Sequence, residues 1–125
     1  MDLKTDYSRI DLCWFAGWWE GEGSISNTCK TNGKTYLKIT GNSTDKDIIE
    51  KIQSVFGGRI YGPYYSVTIT GKQAKAQYLW SITKTHQALA LAQAIRPMVC
   101  LRRQAQIDVK IKAVTMAHCQ ADDES

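Results

Sequence analysis

Between Ser24 and Thr83 the chain twice adopts a two-residue hydrophobic period, and each of these stretches follows a segment with helical spacing. In the first stretch Tyr36, Lys38 and Thr40 fall on one side of a strand, and Leu37 and Ile39 fall on the other. Asn32-Gly33, a strong short-hairpin signal, separates it from the run that begins at Ser24. In the second stretch residues 59–70 and 76–83 flank GKQAK, and Tyr78, Trp80 and Ile82 alternate with Gln77, Leu79 and Ser81. A strand with one apolar side must bury that side. Four such strands predict one antiparallel sheet with the helices on its apolar face and the opposite face open to solvent or a ligand.

The helical segments complete an α+β order. Residues 9–19, RIDLCWFAGWW, predict a first helix with Ser8 as N-cap, Asp11 in the capping-box position, and GEG as its end. Residues 45–56 place Ile48, Ile49, Ile52 and Phe56 at helical spacing, with Thr44 or Ser43 as cap and Gly57-Gly58 as the stop. Residues 86–95 predict an Ala/Leu-rich helix stopped near Pro97, and residues 101–117 predict another, with Ile107, Ile111 and Val114 in register. A chain of 125 residues with 43% apolar composition fits one domain. That domain is expected over residues 1–118, followed by a polar tail at 119–125.

No run approaches the roughly 18–20 apolar residues of a membrane span, and the first nine residues are too polar and acidic for a signal peptide. A soluble intracellular protein with no membrane partner is expected, its compartment unspecified. Cys13, Cys29, Cys100 and Cys119 are far apart and only His86 and His118 complement them, so buried or idle reduced thiols are expected rather than zinc ligands.

Charge gives the first indication of a partner. Setting aside Asp122, Asp123 and Glu124 in the tail, nine of the twelve acids remain against sixteen bases, so the body carries +7. The hairpin regions, 24–42 and 58–84, contain Lys30, Lys34, Lys38, Arg59, Lys72, Lys75 and Lys84 and no acid. Edge-strand protection accounts for lysine but not for the missing acids. Ser26, Thr28, Lys30, Lys34, Tyr36, Lys38 and Thr40, with Gln77 and Ser81, offer donors, acceptors and positive charge suited to groove reading by a β-ribbon. Arg59 and Tyr61, and further along Ser66, Thr68 and Leu79, join them as candidate nucleic-acid contacts.

Residues 15–24, FAGWWEGEGS, combine small residues on a helix with two acids at its end. Gly in a helix costs about 1 kcal/mol, which close approach of a second helix would offset. Glu20 and Glu22 sit at the negative end of the helix dipole, where acids are unfavourable unless a cation reverses the local sign. Carboxylate and carbonyl oxygens are hard ligands that suit Mg²⁺. Solvation or pairing with lysine accounts well for Glu20 and poorly for Glu22.

Residues 15–23 align without gaps to the nine-residue signature of the LAGLIDADG homing endonucleases, and the chain resembles that family. Ala16, Gly17 and Gly23 match; Phe15, Trp18 and Trp19 are apolar where the signature is apolar. Glu20 and Glu22 replace its acids, and Gly21 replaces its second Ala. The family's αββαββα core matches the element order read from the chain. A single motif implies a homodimer pairing its first helices, with Cys13, Ala16, Gly17 and Glu20 at the interface. It also implies a near-palindromic double-stranded DNA target with one sheet in the major groove of each half-site.

The resemblance implies metal-dependent phosphodiester hydrolysis with Mg²⁺ (or Mn²⁺), leaving four-base 3′ overhangs. Glu22 and the Gly21 carbonyl are the implied metal ligands. Asn42 stands near the position of a water-organising side chain and Lys46 near that of a basic residue. Arg102 or Arg103 takes the place of a lysine; Arg103 with Gln106 keeps the family's basic-x-x-Gln spacing, and counting from Pro97 favours Arg102. Either arginine would stabilise phosphate charge and not serve as a base. Two other readings remain open: a non-cleaving binder of the same fold, such as an intron maturase or regulator, and an unrelated basic RNA-binding module.

Overall fold

A computed structural model describes residues 7–65, 70–71 and 75–123, of which 116–123 are described by backbone alone. The order is α1 (Arg9–Glu22), β1 (Gly23–Cys29), β2 (Thr35–Ser43), α2 (Lys46–Phe56), β3 (Arg59–Tyr64), β4 (Gln77–Ile82), α3 (Thr85–Ile95), a 3₁₀ turn (Arg96–Met98) and α4 (Leu101–Asp123). The strands form one antiparallel sheet in the order β1-β2-β4-β3. The expected α+β architecture is the one observed.

Pairing fixes which side chains share a face, because directly opposed residues on antiparallel strands point the same way. Ile25, Ile39 and Ile82 form one cross-sheet row, and Gly41, Trp80 and Ile60 form the next. These point into the core with Phe15 and Trp19 of α1, Ile52 and Phe56 of α2, Leu91 and Ile95 of α3 and Ile107 of α4. Phe15 joins Phe56 at a ring-centroid distance of 4.7 Å and Trp80 at 5.4 Å, tying α1 to α2 and to the sheet. The opposite face carries the row Ser24, Thr40, Ser81, Arg59 and, beside it, Asn42, Leu79, Tyr61. Nothing acidic stands in either row.

Several boundaries differ from expectation, each for a local reason. Helix α1 runs two residues into the GEG segment: Gly21 and Glu22 stay helical, and the helix ends at Gly23, whose N–H donates to the Trp19 carbonyl as the chain passes directly into β1. The α2 cap is Asp45, accepting from the Asp47 N–H at 3.1 Å, while Ser43 Oγ accepts from the Asp45 N–H at 2.9 Å and shapes the approach. Asn32-Gly33 does mark the hairpin, but through a three-residue loop: Gly33 N–H donates to the Lys30 carbonyl and Lys30 N–H to that of Lys34. Gly33 takes φ +80° there, a conformation that favours glycine. Helix α4 continues past 117 to Asp123. Ser66 and Thr68 lie outside the described residues.

Trp18 packs against the sheet where Gly41 has no side chain. A Cβ at Gly41 would lie 2.2 Å from the indole, so the ring or the strand would have to move. Gly41→Ala is expected to lower the unfolding free energy by about 1–3 kcal/mol, read as a lower urea midpoint at unchanged m.

Candidate nucleic-acid and metal site

The acid-bearing end of α1 abuts the start of α4, and each caps the other. Arg103, 9% exposed, donates from Nε to the Glu20 carbonyl at 3.1 Å and from Nη2 to the Gly23 carbonyl at 2.9 Å. Its Nη1 donates to Gln106 Oε1 at 3.0 Å, and the guanidinium lies 4.7 Å from the centroid of the Trp19 ring. In return Glu20 Oε1 accepts from the Cys100 N–H at 3.0 Å, just ahead of the first residue of α4. The expected basic-x-x-Gln pair is therefore real, but it holds α1 and β1 together. Arg103 thus serves as a clamp inside the chain, three of its five N–H donors engaged there, and Arg102 beside it is exposed.

Trp19 completes the clamp. Its Nε1 donates to the Thr40 carbonyl at 3.1 Å, and a Cβ on Gly23 would lie 1.9 Å from its ring. The last glycine of the motif is thus required within the chain. Gly17 differs: a Cβ there would meet nothing within 4 Å.

Glu22 is exposed at the end of α1 and lines a cleft of about 410 Å³ with Trp18, Asn42, Ser43, Thr44 and Gln77. Asn42, expected near the position of a water-organising side chain, shares this cleft with Glu22. Lys46 does not line the cleft. It pairs with Glu50 at 3.7 Å and stands 6.0 Å from the centroid of the Tyr78 ring, since its place in the first turn of α2 turns it along that helix. Ser43, the alternative to Asn42 if the loop register shifts by one, lines the cleft too, and Thr44, brought there by the β2–α2 connection, was not anticipated.

As a ligand set the α1 end is partial. Among the described residues no three His, Cys, Asp or Glu side chains come together to hold an ion. Glu22 supplies one carboxylate, and the Gly21 carbonyl, in the last turn of α1, has no amide four residues on within the helix. These are hard oxygen donors fitting Mg²⁺, which retains several waters and takes few protein ligands.

On the polar sheet face Ser26, Lys38 and Thr40 are half-buried, and Thr28, Lys30, Lys34, Arg59, Tyr61 and Gln77 are exposed. Tyr36 is held by the hairpin tip: its hydroxyl accepts from Asn32 Nδ2 at 3.1 Å, and Lys30 Nζ lies 4.6 Å from its ring centroid. Leu79 sits on this face, half-buried. Ser81 also belongs to the face but is only 4% exposed, covered at the sheet centre, so the expectation of a direct contact from it is corrected. On α1 Ala16 is 2% exposed and packs into the core, which removes it from the expected dimer interface. Glu20 is engaged with α4 inside its own chain. Cys13 and Gly17 remain exposed, and Ile10 is 82% exposed one turn earlier. Among the described residues no helix is long and apolar enough to cross a membrane.

Electrostatics follow the clamp. The Glu20 carboxyl is held below its usual range, first by the neighbouring Cys100 thiol, then by the Cys100 N–H and the charges of Arg103 and Arg102, against the opposing effect of partial burial. The Cys100 thiol is correspondingly pushed up by Glu20. A carboxyl lowered on folding contributes stability above its unfolded value near 4.5 and loses it as pH falls through the folded value. Glu20→Gln should therefore have a lower Tm than the parent at pH 7, and the gap should close as pH is lowered well below 4.5. Thermal melts across that range check it.

The chain matches no family model and no curated protein. Solved structures are similar in fold. The homing endonuclease I-CvuI in complex with its target, with 2 mM Ca, superposes at a TM-score of 0.66 and 15% identity over 90% of this chain and 71% of that one. The LAGLIDADG meganuclease I-AabMI bound to uncleaved DNA gives 0.63 at 14% identity over 90% of this chain and 38% of the longer one. The archaeal intron-encoded homing endonuclease I-Vdi141I complexed with DNA gives 0.53 at 13% identity, covering 93% and 84%. With its motif at the junction of α1 and β1 and its four-stranded sheet open on one face, the chain has the fold of the LAGLIDADG homing endonucleases.

Proposed function

We propose that this chain is a single-motif LAGLIDADG homing endonuclease that pairs with a second copy through α1 and cuts both strands of a long, near-palindromic DNA site. The observation that carries this reading is the division of labour between two neighbouring acids. Glu20 is engaged with α4, whereas Glu22 stands exposed in a cleft with Asn42. An acid with no internal partner at the negative end of a helix is unfavourable in the isolated chain and suits a bound cation. DNA complexes of proteins with this fold support the choice of partner.

In the proposed mechanism each sheet lies in the major groove of one half-site. Lys38, Arg59, Tyr61 and Gln77 approach base edges and phosphates from rigid strands. Glu22 and the Gly21 carbonyl of each subunit are the residues that would hold a divalent ion, Mg²⁺ or Mn²⁺. When bound, that ion supplies Lewis-acid activation of water and stabilisation of the leaving oxygen. Asn42 orients the attacking water from the cleft wall, and Arg102 offsets charge on the phosphate. Arg103 fixes the α1 end that carries Glu22 and is a positioning residue. The product carries four-base 3′ overhangs.

The dimer accounts for Gly17. Nothing inside the chain needs a missing side chain there, so the helix cost of glycine finds its compensation in a partner helix at close approach. Gly17→Leu is expected to leave the protomer folded by circular dichroism, to shift sedimentation from dimer to monomer, and to abolish double-strand cleavage.

Cleavage selection on a randomised duplex library, run with Mg²⁺, with Ca²⁺ and with Glu22→Gln, tests the chemistry. Ends centred in a near-palindrome are expected with Mg²⁺ and the parent chain. Glu22→Gln should cut at least about a hundredfold more slowly while still retaining the duplex. Duplex retained yet never cut with any metal would replace this reading with the non-cleaving binder.

A further inference from the structure

Strand β4 ends at Ile82, opposite Ile39, so the first residues of β2 have no β4 neighbour on that side. The chain turns there into α3, and the gap forms a cavity of about 590 Å³ between the β1–β2 hairpin and the start of that helix. Four lysines line it, Lys30, Lys34 and Lys38 from the hairpin and Lys84 from the α3 side. His86 and the hydroxyl-bearing Thr28, Tyr36 and Thr83 fill the remaining wall, and no Asp or Glu takes part. Thr85 is engaged, its Oγ1 accepting from the Leu37 N–H at 3.3 Å, which fixes the helix start against β2. The α3 N-terminus has no side-chain cap bond among the described residues, and the first amides of a helix lack partners within it.

Four lysines with no acid among the lining residues give the cavity a positive excess that an oxyanion would offset. The cavity is continuous with the polar sheet face, because Thr28, Tyr36 and Lys38 belong to both. A duplex lying on that face therefore carries its sugar-phosphate backbone past the cavity mouth. We propose that this cavity is a phosphodiester clamp, in which Lys84 and the start of α3 grip the DNA backbone at the outer end of each half-site. It shares Thr28, Tyr36 and Lys38 with the sheet face, while Lys84 and His86 lie outside that face, and it shares no residue with the Glu22 cleft. The proposal rests on the DNA-binding reading above and assigns to Lys84 and His86 a role that the sheet face does not require.

The test is salt-dependent binding of the parent dimer, Lys84→Gln and Lys84→Arg to the duplex recovered by selection and to a scrambled duplex of equal length. Each phosphate contact contributes about 0.9 to the slope of log affinity against log salt. Lys84→Gln should reduce that slope by about 0.9 per subunit and weaken both duplexes equally, leaving the target-to-scrambled ratio unchanged; Lys84→Arg should keep the parent slope. An unchanged slope in Lys84→Gln overturns the clamp, and so does a fall in the ratio, which would make the cavity a base-reading element. Failure of the parent chain to retain any duplex would instead overturn the DNA-binding reading itself. Lys84 and His86 are exposed, and circular dichroism of each variant confirms that folding is retained.

Discussion

The reciprocal capping of α1 and α4 is the interaction on which the rest of the molecule depends. Two acids and a row of helix carbonyls meet at the end of α1, adding to a dipole worth about half a negative charge. Arg103 answers the carbonyls and Glu20 answers the α4 amide, so each helix end satisfies groups the other leaves orphaned. A lysine could not reproduce this. The guanidinium reaches two carbonyls and one amide oxygen while its plane lies over Trp19, a geometry that needs a rigid fork. The result is a fixed helix-to-strand junction that holds Glu22 outward at a defined place.

Around that junction the nine-residue motif divides into parts that serve the chain and parts that do not. Ala16, Trp19 and Gly23 are explained by internal packing, since the first two are buried and the third makes room for the Trp19 ring. Gly17, Gly21 and Glu22 are exposed, and among the described residues a Cβ at Gly17 or Gly21 would meet nothing within 4 Å. Residues of this kind suit the proposed partner helix and the proposed cation. The acid-free sheet face is the complementary half of the same design: rigid strands present cations and hydroxyls at fixed spacing, while the helices behind carry the acids.

Most of the architecture could be read from periodicity, because burial on one side of a strand imposes a two-residue pattern that Leu37, Ile39, Trp80 and Ile82 obey without exception. The open face was legible by subtraction, as the side of those strands without apolar residues or acids. The site was only partly legible. Glu22 and Asn42 could be brought near one another, whereas Lys46 points along α2 because helix phase within a first turn is not fixed by spacing to a motif. Ala16 follows Phe15 into the core, a matter of one residue in a 100° rotation about α1. Arg103 could be paired with Gln106 from their i, i+3 spacing, but the carbonyls it grips lie about eighty residues away, and no local pattern signals a contact of that span. The cavity walled by Lys84 depends on where β4 stops relative to β2, a property of register and not of composition.

The claim at the centre of this account is that the α1–β1 junction, held by Arg103, is where a divalent ion sits. Iron-mediated affinity cleavage tests it most directly: Fe²⁺ replaces Mg²⁺ on the DNA-bound dimer, peroxide and ascorbate generate hydroxyl radicals at the ion, and the cut protein fragments are sized by mass spectrometry. The account predicts backbone scission concentrated at residues 20–23, with weaker cuts near Asn42, all lost in Glu22→Gln. Scission elsewhere in the chain, or the same pattern in Glu22→Gln, would contradict it.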